Sequence, residues 1–254
     1  MSFLQIRNVS HCFFAKENAK LILEDMSLQV EEGEFISILG PSGCGKTTLL
    51  SIIAGLLDPI DGIVFLDGEP ITTKTSSMGY MLQQDYLFPW KTIEENIMLG
   101  LHIRKIYDEQ MKEHTLNLLK QVGLHGVEGQ YPRELSGGMR QRAALVRTLA
   151  TDPKILLLDE PFSALDYQTK LKLEELVFNL LNKYKKTSLL VTHDIEEAIA
   201  MSDRIYLLQA NPGKIAKTFI VPESIRSLSP LEARHHYDFP ALFQDIWKEL
   251  ERLG

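Results

Sequence analysis

The chain has 254 residues, of which 44% are hydrophobic and 24% are charged, and this composition excludes a disordered or fibrous protein. A formal net charge of −7 argues against a general nucleic-acid binder, which needs clustered Lys and Arg. We find no signal-peptide pattern at the amino terminus and no run near the ~18 apolar residues of a membrane span. Only two cysteines occur, one of them inside a glycine-rich loop, so we expect a reducing, cytoplasmic setting.

The first third of the chain predicts three strands. Alternating apolar and polar residues indicate strands at 3–9 and 26–30, and an apolar run indicates a third at 35–39. Phe13 and Phe14 lie just before a polar loop. One of these rings could stack on an adenine, and a place in the hydrophobic core explains an aromatic residue there equally well.

Residues 40–48, GPSGCGKTT, fit the phosphate-loop pattern G-x-x-x-x-G-K-[ST] and directly follow the third strand. Glycines let backbone N–H groups turn towards a phosphate, and the next helix adds its positive N-terminal end. A glycine turn with a chance lysine would not explain the flanking strand and helix. Lys46 would reach the β- and γ-phosphates, Thr47 would bind Mg²⁺, and Thr48 would contact the α-phosphate. The predicted nucleotide-binding residues are Gly40, Pro41, Ser42, Gly43, Cys44, Gly45, Lys46, Thr47 and Thr48.

The middle of the chain changes from alternating strands to helices. A strand at 78–82 leads to Gln83, and an irregular stretch follows to Trp90. Capping residues then predict helices at 92–97 and 108–122, which form a helical insert. Between the phosphate loop and this region, apolar spacing predicts a helix at 48–57 and a strand at 62–68.

Residues 135–142, LSGGMRQR, open another helix, with Ser136 placed as its N-cap. Gly137 and Gly138 at a helix entry again allow close approach of an anion to backbone N–H groups. This is a second candidate phosphate site, although a simple loop-to-helix turn accounts for the residues about as well when they are taken alone.

Two later strands end in polar residues. The apolar run 155–158 fits a buried parallel strand and ends in Asp159, suited to hold Mg²⁺, and Glu160, suited to activate water. The strand at 188–191 leads to His193, which is placed to be a surface residue, to cap a helix or to contact a γ-phosphate. A hairpin at 204–220 and an amphipathic helical tail from residue 230 complete the chain, and His235–His236 lacks the spaced partners of a metal site.

The phosphate loop, Gln83, LSGGM, LLLDE, SALD and His193 together resemble the ATP-binding subunit of an ATP-binding-cassette (ABC) transporter. Met139 departs from the glutamine of the family consensus. The resemblance implies an α/β P-loop NTPase fold of the ABC ATPase type, with a mixed sheet core, an N-terminal antiparallel β subdomain and a helical insert subdomain. It implies one domain over 1–254, with a catalytic core at 1–85 and 153–220, a helical subdomain at 86–152 and a helical tail at 221–254.

The same resemblance implies roles for individual residues. Phe13 would stack on adenine, and Lys46 would belong to the catalytic set. Ser136, Gly137 and Gly138 would contact the nucleotide of a paired copy, and Asp166 would contact that copy. The remaining assignments are the γ-phosphate sensor and metal neighbour Gln83, the metal acid Asp159, the catalytic base Glu160 and the switch histidine His193.

The resemblance also implies ATP and Mg²⁺ as cofactors and a head-to-tail pair of ATPase subunits, most simply a homodimer. Two transmembrane permease subunits and an extracytoplasmic solute-binding protein would complete the importer, with this chain peripheral at the cytoplasmic face of the membrane. The stretch 88–90, the LSGGMRQR spelling and the short tail look like the nitrate, sulfonate and taurine importer group. ABC-type ATPases of DNA repair or translation are less compatible, because the insert lacks heptads and spaced cysteines and only one cassette is present.

Overall fold

A computed structural model of the chain describes residues 2–14, 19–71 and 77–253. The chain divides into two compact units, one of Met1–Ser76 with Val177–Gly254 and the other of Ser77–Leu176. The subdomain boundaries predicted above stay a prediction. In the described residues, no helix combines the length and apolar character required to cross a membrane.

The first unit contains an antiparallel sheet of β1 (Leu4–Phe14), β2 (Ala19–Val30), β4 (Asp61–Leu66) and β5 (Glu69–Pro70), in the order β2-β1-β4-β5. Leu4 of the central strand pairs with Val30 on one side and Leu66 on the other. Asn8 has a φ of 50° and interrupts the alternation, so that Val9 returns to the buried face. The predicted strands at 3–9, 26–30 and 62–68 are confirmed. Strands β1 and β2 are longer than predicted, β4 ends two residues earlier than predicted, and β5 was not predicted.

The same unit holds four further strands, β3 (Phe35–Leu39), β8 (Thr187–Thr192), β9 (Arg204–Gln209) and β10 (Lys214–Ile220), in the order β10-β9-β3-β8. Strand β3 runs parallel to both its neighbours, whereas β9 and β10 form the predicted antiparallel hairpin. Every residue of β3 and β8 is buried, as continuous apolar runs predict.

The carboxyl-terminal helices pack on this second group of strands. Phe239 and Ile246 join Leu39, Ile199 and Leu207 in one buried cluster. The tail predicted from residue 230 is therefore helical and tied to the core, and a short helix that we did not predict precedes it. The helices of this unit are α1 (Lys46–Ile53), α6 (Ile195–Met201), α7 (Glu223–Arg226), α8 (Pro230–His235) and α9 (Phe239–Leu253).

The second unit combines two parallel strands with the helical insert. Strand β6 (Met78–Met81) pairs with β7 (Ile155–Asp159). Thr92 and Asp108 cap the first two insert helices through their side chains, which confirms both predicted starts. The helices are α2 (Ile93–Arg104), α3 (Glu109–Gln121), α4 (Gly137–Leu149) and α5 (Tyr167–Lys183), and the division between the units falls within α5.

Candidate functional site

The phosphate-loop segment connects β3 to α1 in the first unit. Gly45 is the N-cap residue of α1 with a φ of 95°, a left-handed conformation that favours glycine. Within the described chain, no side chain caps this helix. The N–H groups of its first turn therefore point out of the helix end, where an anion can accept them.

Lys46 is only 6% exposed and is held by the loop itself. Its Nζ donates hydrogen bonds to the carbonyl oxygens of Gly40 and Pro41 at 2.7 and 3.0 Å. A Cβ on Gly40 would stand 2.9 Å from Cys44 Sγ, so only glycine fits. The loop thus combines a buried ammonium group with the N–H groups of a helix end, which is the donor set that a triphosphate requires.

The switch candidate His193 follows β8, the parallel neighbour of β3. Leu39 pairs with Thr192, so the phosphate loop and His193 both begin at the carboxyl ends of adjacent strands. His193 itself is exposed. The helix that follows is capped by Asp194, which accepts from the N–H groups of residues 196 and 197 at 2.8 and 3.2 Å. Asp194 therefore fills the capping role, and the exposure of His193 fits both a surface residue and a contact with a γ-phosphate.

The predicted acids lie in the second unit, where β6 and β7 bring Gln83 and Glu160 together. Gln83 Nε2 lies 3.5 Å from Glu160 Oε2 and 3.2 Å from Ser163 Oγ. Asp159 is buried and accepts a 3.3 Å hydrogen bond from the Tyr80 hydroxyl. We did not predict Tyr80 or Ser163 from the sequence. In the parallel register Tyr80 pairs with Leu157, two residues before Asp159 and on the same face of the sheet, so its long side chain reaches the acid.

Glu160 has a left-handed backbone, with a φ of 46°. A non-glycine residue rarely adopts this conformation, and such strain is often found at functional sites. Its carbonyl oxygen accepts from the Ser163 hydroxyl at 2.9 Å, which closes a tight turn after β7. The turn fixes where the carboxylate lies relative to Gln83.

The second candidate phosphate site is the N-terminus of α4. Ser136 is its N-cap and accepts from Met139 N–H at 3.3 Å, as predicted. A Cβ on Gly138 would stand 2.7 Å from Thr169 Cγ2, so α5 closes directly on this glycine. A hydrogen bond from the Thr169 side chain lowers the pKa of Asp166, which keeps this carboxylate ionised. A cavity of about 580 Å³ is lined by Ser136, Gly137, Gly138, Asp166 and Thr169 among others.

Helix α4 also holds the segment that follows Gln83, which the sequence did not predict. Gln141 Nε2 donates to the Gln83 carbonyl oxygen at 3.0 Å. Arg140 pairs with the Asp85 carboxylate at 2.9 Å, and Arg147 donates to the carbonyl oxygens of Asp85 and Tyr86 at 2.7 and 2.8 Å. Burial lowers the pKa of Arg147, yet two carbonyl partners satisfy its guanidinium. Residues 135–138, LSGG, are called the signature below, and α4 is the signature helix. Hydrogen bonds therefore join the signature helix to residues 83–86.

Comparison with known proteins identifies a related group. A family model described as "ABC transporter" matches residues 23–163. The ABC transporter ATP-binding protein YtlC of Bacillus subtilis is 56% identical over 253 residues, covering 100% of this chain and 97% of that protein. The aliphatic sulfonates import ATP-binding protein SsuB of Bacillus cereus is 45% identical over 214 residues, covering 84% of each.

A solved structure agrees with these relatives. A dimeric ATP-binding cassette in a post-hydrolysis state, bound to ADP and Pi, superposes with a TM-score of 0.76 and 32% identity. The match covers 86% of this chain and 99% of that one. The predicted fold class is therefore confirmed, and transport is favoured over DNA repair or translation because these relatives are described as transport proteins.

Proposed function

Since this chain belongs to the ABC transporter family, as its ATP-hydrolysing subunit, we propose that it powers import of a small solute of the nitrate, sulfonate or taurine class. One observation carries the proposal. Both helix entries suited to phosphate, those of α1 and α4, are intact in a chain that also keeps Glu160. A relative described as a sulfonate import protein supports the solute class.

ATP is the substrate, and the phosphate loop supplies its first contacts. Residues 40–48 offer backbone N–H groups, while the Lys46 ammonium interacts with the β- and γ-phosphates and Thr48 with the α-phosphate. Phe13, half exposed on β1, stacks on the adenine. Mg²⁺ suits the hydroxyl, amide and carboxylate oxygens of Thr47, Gln83 and Asp159, and when bound it neutralises phosphate charge.

Glu160 serves as the general base for the attacking water. Gln83 contacts the Glu160 carboxylate at 3.5 Å and the Ser163 hydroxyl at 3.2 Å, so the amide that lies against the general base is itself held in place. Burial and the Tyr80 hydroxyl keep Asp159 in one orientation. His193 contacts the γ-phosphate at the end of β8 and reports whether that phosphate is present.

Two copies of the chain act together as a homodimer. A two-fold axis gives each ATP the phosphate loop of one copy and Ser136, Gly137 and Gly138 of the other. ATP then holds the pair closed, and hydrolysis releases it. The cassette neighbour described above is itself dimeric, which supports this arrangement.

The permease subunits dock on the segment after Gln83, at the cytoplasmic face of the membrane. Tyr86 and Trp90 are 58% and 70% exposed, although both are large aromatic residues. Exposed aromatic side chains are typical anchors of protein interfaces. Arg140 and Arg147 tie this segment to the signature helix, so a permease movement would reach Ser136 through α4. A solute-binding protein on the opposite side of the membrane delivers the solute.

Replacement of Glu160 tests the chemistry of the proposal. We expect Glu160→Gln to bind ATP normally but to lose about 100-fold or more in turnover, since a general base contributes about 10²–10⁴-fold. Phosphate release and binding of a fluorescent ATP analogue measure the two properties. Glu113→Gln, an exposed change on α3, is the matched control. Normal hydrolysis by the Glu160 variant would remove this residue from its role.

A further inference from the structure

His11 lies on β1, two residues before Phe13, and is 7% exposed. Its Nδ1 lies 3.1 Å from the backbone oxygen of Asp58. A carbonyl oxygen can only accept, so Nδ1 carries the hydrogen. Nε2 is buried and has no hydrogen-bond partner in residues 2–14, 19–71 and 77–253. A buried polar ring with one nitrogen unsatisfied needs an explanation beyond simple packing.

The His11 ring packs directly on the ring of Phe13. Their centroids are 4.9 Å apart and their planes make an angle of 81°, which is an edge-to-face arrangement. Phe13 is 48% exposed, so this contact holds the ring while leaving surface free for a ligand. Phe14 is 77% exposed. Of the two candidate aromatics, Phe13 is thus the more firmly positioned.

Contacts of His11 lead to both ends of α1, the helix that follows the phosphate loop. It pairs with Leu23 on β2, and Leu23 Cδ2 lies 2.6 Å from where a Cβ of Gly45 would stand. Its partner Asp58 follows the other end of α1. All these residues belong to the first unit. A shift of His11 would therefore alter the distance between the Phe13 ring and the phosphate loop.

We propose that His11 is a positioning residue for adenine recognition, which sets the Phe13 ring at a fixed place relative to the phosphate loop. The inference rests on the proposed function, because it requires that Phe13 stacks on the adenine of ATP. It assigns His11 no direct contact with the nucleotide. Its effect should therefore depend on the presence of both the adenine and the Phe13 ring.

The test compares ATP with inorganic tripolyphosphate, which has no adenine. Calorimetric titration with each ligand is carried out on the full chain, on His11→Asn, on Phe13→Ala and on the double variant. Asn can retain the hydrogen bond to Asp58 but lacks the ring. We expect His11→Asn to weaken ATP binding about three- to tenfold, as loss of an aromatic pair predicts, and to leave tripolyphosphate binding unchanged. In the Phe13→Ala background the same change should have no further effect.

Two further variants, His11→Phe and Phe14→Ala, separate a failure of the positioning role from a failure of the adenine assignment. His11→Phe retains the ring contact, and should bind ATP more tightly than His11→Asn, even if the latter folds poorly. Equal losses for ATP and tripolyphosphate, or an undiminished loss in the Phe13→Ala background, would overturn the positioning role. Unchanged ATP binding by Phe13→Ala, with weakened binding by Phe14→Ala, would instead refute the adenine assignment within the proposed function.

Discussion

At the scale of single residues, the backbone of Glu160 shows how the site is built at a cost in stability. Glu160 directly follows the buried Asp159 and has a left-handed backbone, with a φ of 46°. This conformation costs a residue with a Cβ about 1–2 kcal/mol. The two acids can therefore project differently although they are adjacent in sequence. The strain is offset by the surrounding packing of β7, in which every residue is buried.

This strain predicts an unusual order of stability. The free energy of unfolding of Glu160→Gly should exceed that of Glu160→Ala by about 0.5–1 kcal/mol, because glycine adopts a φ of 46° without the Cβ penalty. Urea unfolding measures this difference. The matched pair Glu113→Gly and Glu113→Ala, in the interior of α3, should show the opposite order by about 1 kcal/mol. If alanine is the more stable residue at both positions, Glu160 is not strained.

The sequence predicted the residues of the motifs but not the neighbours that contact those residues and orient their side chains. Lys46, Asp159 and Glu160 are recognisable because their chemistry follows from local spacing. Tyr80 contacts Asp159 on the neighbouring strand, and His11 contacts the backbone oxygen of Asp58, 47 residues further along the chain. No local pattern in the sequence reveals such long-range contacts.

At the scale of elements, the beginning of α4 is constrained both by its own cap and by α5. Ser136 caps it, and Gly138 lies against Thr169 of α5. Thr169 also hydrogen-bonds Asp166, so one residue contacts both the signature glycine and the predicted dimer-contact acid. The arrangement makes the position of the signature depend on α5.

A paired substitution tests this contact. Gly138→Ala should destabilise the chain by about 1–3 kcal/mol, since the new methyl group would overlap the stiff Thr169 side chain. Thr169→Ser removes Cγ2 and keeps the hydroxyl, so it should restore most of the loss when combined with Gly138→Ala. Gly137→Ala is the control, because its Cβ would have room, the nearest atom being 3.9 Å away. Urea unfolding gives all four values, and an equal loss for both alanines would contradict the contact.

Element ends were predictable where capping chemistry is explicit. Thr92, Asp108 and Ser136 each begin a helix in the structure, as their side chains predicted. The apolar spacing at 48–57 misplaced α1, which begins at Lys46 directly after the left-handed Gly45 and ends at Ile53, before the left-handed Gly55. Apolar periodicity continues through such turns, so it cannot locate them.

At the scale of the whole molecule, the site predicted from the sequence is divided between the two compact units. The phosphate loop and His193 belong to one unit, and Gln83, Asp159, Glu160 and the signature belong to the other. The α/β fold of the ABC ATPase type was implied by the family resemblance, and the structure confirms it. The pairing of two copies could not follow from spacing within one chain, because its contacts are intermolecular, and it came from the family resemblance alone.

The central claim is that ATP is bound between the phosphate loop of one copy and the signature of another. The most direct measurement is the mass of the Glu160→Gln chain by light scattering after sizing chromatography in ATP. We predict about twice the 28.9 kDa of one chain, and a return to one chain when Ser136→Arg is added to block the signature. A species of 28.9 kDa that binds ATP fully, or a dimer that the Ser136 change leaves intact, would contradict the account.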